Sequence, residues 1–494
     1  MEQEEVERVA VPARGAPGVA KIDVEAVNAA EQRPLYQKRR KIFPRRVNGT
    51  FRRVKWIVLA LTLGVYYLLP WVRWDRGPNA PDQAVLVDFP SRRFYFFFIE
   101  IWPQEVYYLT GLLIIAALSL FLVTSIAGRV WCGYACPQTV WTDLFIWVER
   151  LIEGDRNARM RLDRAPWSGG KLLKRLLKHS AWIAIGVCTG GAWVFYFADA
   201  PTLVGQLLRF DAPLVSYLFI GILTFTTYML AGHAREQVCT YMCPWPRIQG
   251  AMLDENSMLV TYRSWRGEPR GAHKKGESWE GRGDCIDCNS CVVVCPMGID
   301  IRDGNQLECI TCALCIDACD DVMAKIGRPK GLIAYDTIAG LTSGKAGAAM
   351  RPKLIRPRTL IYATLIAAVG LVMLVTLSTR ADTEVNVLRD RNPLFVTLSD
   401  GTFRNGYTVK ILNKKHEERH FELSADGLKD ARIDIVGNDG ATVAVGSDRL
   451  RSIRVYLTAP RDGTRGEVTD FDIVATDKAT GSAVRHATTF RRAP

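Results

Sequence analysis

CIDCNSCVVVCP (residues 285–296) and CITCALCIDACD (residues 309–320) decide how this chain is read. Both carry cysteines as C-x2-C-x2-C-x3-C: Cys285, Cys288, Cys291 and Cys295, then Cys309, Cys312, Cys315 and Cys319. This is the spacing of a bacterial two-cluster ferredoxin. Three thiolates of each run wrap one [4Fe–4S] cube, and the fourth reaches across to the other. Cys285, Cys288, Cys291 and Cys319 are expected to hold the first cluster, and Cys309, Cys312, Cys315 and Cys295 the second. Zinc is the competing use of such cysteines, but it favours C-x-x-C pairs separated by a longer loop. Pro296 follows the first run in its usual place, whereas Asp320 and Asp321 follow the second. The ligand set is complete, so that departure bears on the local backbone and on the potential, which added negative charge lowers.

The chain has thirteen cysteines among 494 residues, and none lies after Cys319. Besides the ferredoxin runs there are two pairs, Cys132-Gly-Tyr-Ala-Cys136-Pro137 and Cys239-Thr-Tyr-Met-Cys243-Pro244. Both read C-x-Y-x-C-P. On a helix, cysteines four apart share one face, and the following proline would break or redirect the chain. Soft thiolates select Cu(I) or iron–sulfur species. The pairs could therefore be a copper site, a redox-active dithiol, ligands of a third cluster, or packing residues at crowded helix ends. Cys188, alone in an apolar run, is expected to pack. His179 and His233, near membrane ends, are further candidates for copper or haem ligation, or interfacial anchors. No P-loop and no G-x-G-x-x-G after a strand is present, so an electron donor would bind from outside the chain.

Five stretches approach the length of a membrane span: Trp56–Val72, Val106–Ile126, Ala181–Ala198, Leu214–Leu230 and Leu360–Leu377. A span needs about 20 apolar residues. Phe94–Trp102 is aromatic but too short, and reads as interfacial. The formal net charge of +13 could suggest nucleic acid, but the basic residues crowd beside the apolar runs. No nucleic-acid partner is expected; the membrane is. Lys38, Arg39, Arg40, Lys41, Arg45, Arg46, Arg52, Arg53 and Lys55 precede the first span, which keeps that end in the cytoplasm. Arg156 to Lys178 and His233 to Arg358 are also rich in Lys and Arg. Five spans then put the clusters inside and everything after Thr379 outside. Residues 1 to about 32 are polar and poor in aromatics and read as a disordered tail.

After about Ala381 the pattern changes to short alternating runs: Leu394–Leu398, Tyr407–Leu412, His420–Leu423, Ala431–Ile435, Thr442–Val445, Ser452–Leu457, Asp470–Val474 and Ala483–Phe490. Seven or eight short strands with turns such as Asn438-Asp439-Gly440 suggest an immunoglobulin-like sandwich, here without cysteine. The expected architecture is multidomain. Residues 1–53 form a basic, disordered cytoplasmic segment. Residues 54–232 hold four transmembrane helices, with a cytoplasmic loop at 127–179. The two-cluster ferredoxin-like region spans 233–357, and a fifth transmembrane helix spans 358–379. An all-β domain occupies 380–494.

Several stretches together resemble the cytochrome c oxidase accessory protein family, the FixG/RdxA-like membrane polyferredoxins. They are Trp131–Trp141, Cys239–Arg247, Cys295–Gly304, Cys315–Asp320 and Arg389–Leu394. Asp after Cys319 matches that family. The resemblance implies a bacterial inner-membrane protein, in which the odd span count makes the C-terminal domain periplasmic. It implies partners in cbb3-type oxidase assembly or copper transport, and the expected electron source for the ferredoxin runs is a cytoplasmic donor. It also implies reduction of Cu(II) to Cu(I); the leading expectation, from their soft thiolates, places that copper near Cys132, Cys136, Cys239 and Cys243. A quinol-linked electron conduit and a non-redox assembly scaffold are the alternatives.

Overall fold

The computed structural model describes residues 19, 21–28, 40–78, 80–274, 276–342, 353–438, 440–460 and 467–493. Two compact units divide the chain, one holding almost all residues up to Met373 and the other the C-terminal β domain.

Four helices in the described residues are long and apolar enough to cross a membrane: Thr50–Trp71, Pro103–Ala127, Leu214–Ala234 and Pro357–Ser378. They cover four of the five expected stretches, the first to within one residue. The remaining stretch, Ala181–Ala198, falls largely in the helix Gly169–Val194. Lys171, Lys174, Arg175 and Lys178 fill that helix's first turns, so only its later part is apolar. This later part packs as membrane helices do. Gly186 and Gly190 face Thr224 and Ile220 of the helix Leu214–Thr227. A Cβ on Gly190 would lie 2.8 Å from the Ile220 carbonyl oxygen. Small residues four apart let two backbones approach in this way. Cys188, expected to pack, is instead exposed on the same helix, because the glycines and not the cysteine take the contact face. The aromatic stretch around Phe94–Trp102 forms strands Arg93–Phe96 and Ile99–Ile101, which join Val85–Asp88 in an antiparallel meander.

Between the apolar helices lies the amphipathic helix Pro137–Glu153. Val140 and Leu144 pack on Leu59 and Leu63 of the first span, and Phe145 stacks on Trp182. Its polar face is a buried charge network. Arg52 grips Asp143 at 2.9 Å through both oxygens. Glu149 accepts from Arg159 at 2.8 Å and from Arg235 at 3.1 Å.

Residues 21–28, assigned from composition to a disordered tail, are ordered. Ile22 N–H donates to the Cys288 carbonyl at 3.2 Å and Asn28 N–H to the Gly298 carbonyl at 3.1 Å. Ile22 and Val24 pack into the ferredoxin core. Composition missed this because a few apolar residues and an extended backbone suffice when a partner strip is waiting. Residues 1–18 of that tail lie outside the described residues.

The C-terminal domain is a two-sheet antiparallel sandwich. One sheet runs Arg432–Ile435, Arg449–Ala459, Phe403–Asn413, Thr383–Arg389, with Val396–Thr397 beside Phe403–Asn413. The other runs Thr442–Val445, Arg419–Asp426, Val468–Asp477, Ala483–Arg491. Tyr407, Val409 and Ile411 alternate inward and meet Phe421, Leu457 and Ile473 in the core. All eight expected runs contain strand. Thr383–Arg389 is a further strand outside those runs: Thr383, Val385 and Val387 alternate inward, but the apolar helix just before it masks where it begins.

Candidate functional site

The two ferredoxin runs fold alike. Asp287 and Asn289 flank Cys288 with positive φ, and Thr311 and Ala313 flank Cys312 in the same way. Alternating left- and right-handed residues turn successive backbone N–H groups into one concavity, the kind of nest that holds anionic iron–sulfur clusters. Side chains fix the first loop. Arg302 donates to Asp287 at 2.8 Å, to Asn289 at 2.7 Å and, through Nε, to Asp300 at 2.9 Å.

The thiols sort into two sets. Burial raises Cys319, and its next influences are Cys288 and Cys285. Burial likewise raises Cys295 to about 12, with Cys312 and then Cys309 its neighbouring thiols. Cys315 is buried beside Cys312, Cys309 and Cys295, with Cys291 further down the order. Cys285, Cys288, Cys291 and Cys319 thus form one set and Cys295, Cys309, Cys312 and Cys315 the other, with the fourth cysteine of each run crossing over. The residues fit two clusters.

The four remaining paired cysteines also converge. Burial raises Cys239 to about 12, with Cys136, Cys132 and Cys243 the next contributors. Burial raises Cys132 to about 11, against the lowering influence of Arg129. Neither pair rides one α-helical face, as the spacing had suggested. Cys132 lies in the short helix Val130–Tyr134 and Cys136 is the N-cap of Pro137–Glu153. Cys239 sits in a π-helical turn, Val238–Met242, that ends at Cys243. Each proline starts a new segment, so the chain turns at the second cysteine of each pair. Convergence comes from tertiary packing, not from helical periodicity. Among the described residues, no three cysteine sulfurs come within 4.8 Å of one another.

This thiol group adjoins the second cluster set. A Cβ on Gly133 would lie 2.6 Å from the Ile310 carbonyl oxygen and 3.0 Å from the Cys312 backbone. Tyr134 donates to the Cys312 carbonyl at 3.1 Å. Cys132 and Cys239 belong to the same apolar cluster as Cys295, Cys309, Cys312 and Cys315. Buried Gln249 accepts from the Cys132 thiol at 3.1 Å and donates to Thr124 at 3.1 Å. Arg129, Gln249 and the contact role of Gly133 went unseen in the sequence. The repeated tyrosine was visible, but Tyr241 is exposed while Tyr134 is buried, so the repeat is one of sequence and not of environment. His179 and His233 stack at 5.9 Å with Trp182 and Tyr228 around them, and Tyr228 bonds His179 at 2.9 Å. They form a group of their own.

A chain with apolar spans, two cluster-binding loops and a β-sandwich domain is a membrane iron–sulfur protein of the polyferredoxin class. Comparison with known proteins agrees. Residues 234–338 match the 4Fe-4S dicluster domain model, and residues 109–154 match a 4Fe-4S binding domain model. Residues 373–493 match the IG-like fold at the C-terminal of FixG. The nitrogen fixation protein FixG of Rhizobium meliloti is 56% identical over 93% of this chain and 94% of its own length. Protein RdxA of Cereibacter sphaeroides is 56% identical over 89% of this chain and 94% of its own. The ferredoxin-type protein NapH of Haemophilus influenzae is 22% identical over 43% of this chain and 67% of its own. This chain belongs to the FixG/RdxA family.

Proposed function

We propose that the protein reduces Cu(II) to Cu(I) for the copper centre of a cbb3-type oxidase, with Cys132, Cys136, Cys239 and Cys243 receiving the copper. The observation that carries this reading is the convergence of those four thiols against the Ile310–Cys312 backbone. Eight thiolates already satisfy two cubes, so these four are left for the substrate. When bound, the two clusters supply one-electron carriers, matched to a one-electron change at copper. The chain's own part is to hold and release the ion. Soft thiolates favour Cu(I) over Cu(II), so a thiolate site makes reduction more favourable. Burial raises the Cys132 and Cys239 thiols to about 11 and about 12; copper entry at these two therefore releases protons, and binding strengthens as pH rises. Arg129, which opposes the rise at Cys132, favours the thiolate there. Gly133 lets the thiol segment lie directly on the cluster loop.

In this reading the Lys/Arg-rich segments keep the N-terminus and both cluster loops in the cytoplasm of a bacterial inner membrane, where a cytoplasmic donor supplies electrons. The β domain is periplasmic, and the partners are oxidase assembly or copper-transport proteins. Gly169–Val194 then serves as the fifth span. A second reading takes the four thiols as ligands of a third cluster; the match of residues 109–154 to a 4Fe-4S binding domain favours it. One experiment separates the two. Replacing all four cysteines with serine should leave about eight iron per chain while abolishing copper binding and anaerobic Cu(II) reduction. Loss of iron in that variant would establish the third cluster instead. Unchanged copper reduction would defeat the copper assignment.

A further inference from the structure

The structure assigns a second binding site, for the phosphate headgroup of an anionic phospholipid, between the start of the first span and the end of the helix Pro137–Glu153. A cavity of about 810 Å³ lies there, lined by Arg46, Arg52, Arg53, Arg150, Trp56 and Trp147, with no acidic residue on its wall. The arginines are only partly used. Arg52 is 6% exposed and gives Nη1 to Asp143, yet its Nη2 has no hydrogen-bond partner. Arg150 Nε is also without one, its nearest carboxylate, Asp155, standing 3.8 Å away. Burial lowers the Arg150 pKa to about 10, and Arg159 and Arg52 lower it in the same direction. The cavity wall thus carries four arginines and no carboxylate, a surplus of positive charge that an oxyanion with several acceptors would relieve.

A lipid, rather than a free phosphate, fits what adjoins the arginines. Trp56 and Trp147 meet edge to face at 6.2 Å, as aromatic residues do at headgroup depth. Arg53, Ile57 and Leu61 follow one another at helical spacing on one face; Ile57 and Leu61 are 59% and 64% exposed. The charged position therefore stands at the head of an apolar stripe where acyl chains can lie. Basic pockets beside membrane helices bind anionic headgroups by this arrangement. The site also touches the redox module. Phe51 N–H and Arg52 N–H donate to the Asp317 carboxylate at 3.2 and 2.7 Å, and Asp317 lies between Cys315 and Cys319.

The test uses the full-length protein in nanodiscs and measures retention of phosphatidylglycerol against phosphatidylcholine by native mass spectrometry, with iron content as the check on folding. Arg46 and Arg53 are exposed, so R46Q/R53Q should keep its iron. Wild type should retain phosphatidylglycerol selectively, and the double variant should bind it about 30-fold more weakly at low salt. R53Q alone, expected to lose about fivefold, decides the matter if the double variant loses iron. Inorganic phosphate at millimolar concentration should not displace the lipid. Equal retention by wild type and variants, equal retention of phosphatidylcholine, or displacement by inorganic phosphate would each overturn the assignment.

Discussion

Asp143 shows what a single buried carboxylate does here. Arg52 holds both its oxygens at 2.9 Å, and Lys55 stands at 3.9 Å. Burial pushes its pKa up, but Lys55 and Arg52 push it down further, so it stays below the usual carboxylate range. The unfolded value is about 4. The stability this carboxylate contributes is therefore complete above that pH, and it is lost as pH falls through the lower folded value. Asp143→Asn strands two buried cations and should cost about 3–5 kcal/mol. Thermal unfolding in detergent measures this, and the variant should lose part of the wild type's acid sensitivity. An unchanged melting temperature would show that the pair contributes nothing. Gly133 is the other decisive residue. Its missing Cβ is replaced by the Ile310 carbonyl and the Cys312 backbone, neither of which can rotate away. Gly133→Ala should preserve iron content while slowing Cu(II) reduction on the order of tenfold, since small displacements of reacting partners are costly. Full activity in the alanine variant would mean that this contact does not matter for electron delivery.

At the scale of elements, Gly169–Val194 is the helix whose role depends most on its partner. Composition alone leaves it half basic, yet Gly186 and Gly190 give it close backbone contact with Leu214–Thr227. Gly190→Ile would force a side chain into the Ile220 backbone and should destabilise the protein by about 1–3 kcal/mol. Gly191→Ile is the control, because the nearest atom to a Cβ there is Phe195 Cζ at 4.0 Å. If both variants melt together, the glycine pair is not a packing device. The longer C-terminal strands are legible because they bury alternate residues, as Phe403–Asn413 and Arg419–Asp426 do. Thr383–Arg389 alternates too and pairs with Phe403–Asn413, but it follows so closely on the apolar helix Pro357–Ser378 that the end of one run masks the start of the other.

For the whole molecule the open quantity is the number of crossings. Reporter fusions after Ile126, Leu230 and within residues 304–306 should report cytoplasm, and fusions after Val72 or Ser378 the exterior. A cytoplasmic signal after Ser378 would mean four crossings and leave Gly169–Val194 on one side of the membrane. The sequence by itself determined the two cysteine runs, the apolar spans and the β-rich tail, because spacing, run length and alternation are local properties of the chain. Spacing also proposes the crossing-over of Cys295 and Cys319. It did not determine that Cys132, Cys136, Cys239 and Cys243 meet, that Gly133 lies on the Cys312 loop, or that residues 21–28 pair with the ferredoxin loops. Nor did it reveal that Arg46, Arg52, Arg53 and Arg150 ring one cavity. Each of these depends on segments far apart in sequence being brought together by packing, and no periodicity within a segment records which distant surface it will meet.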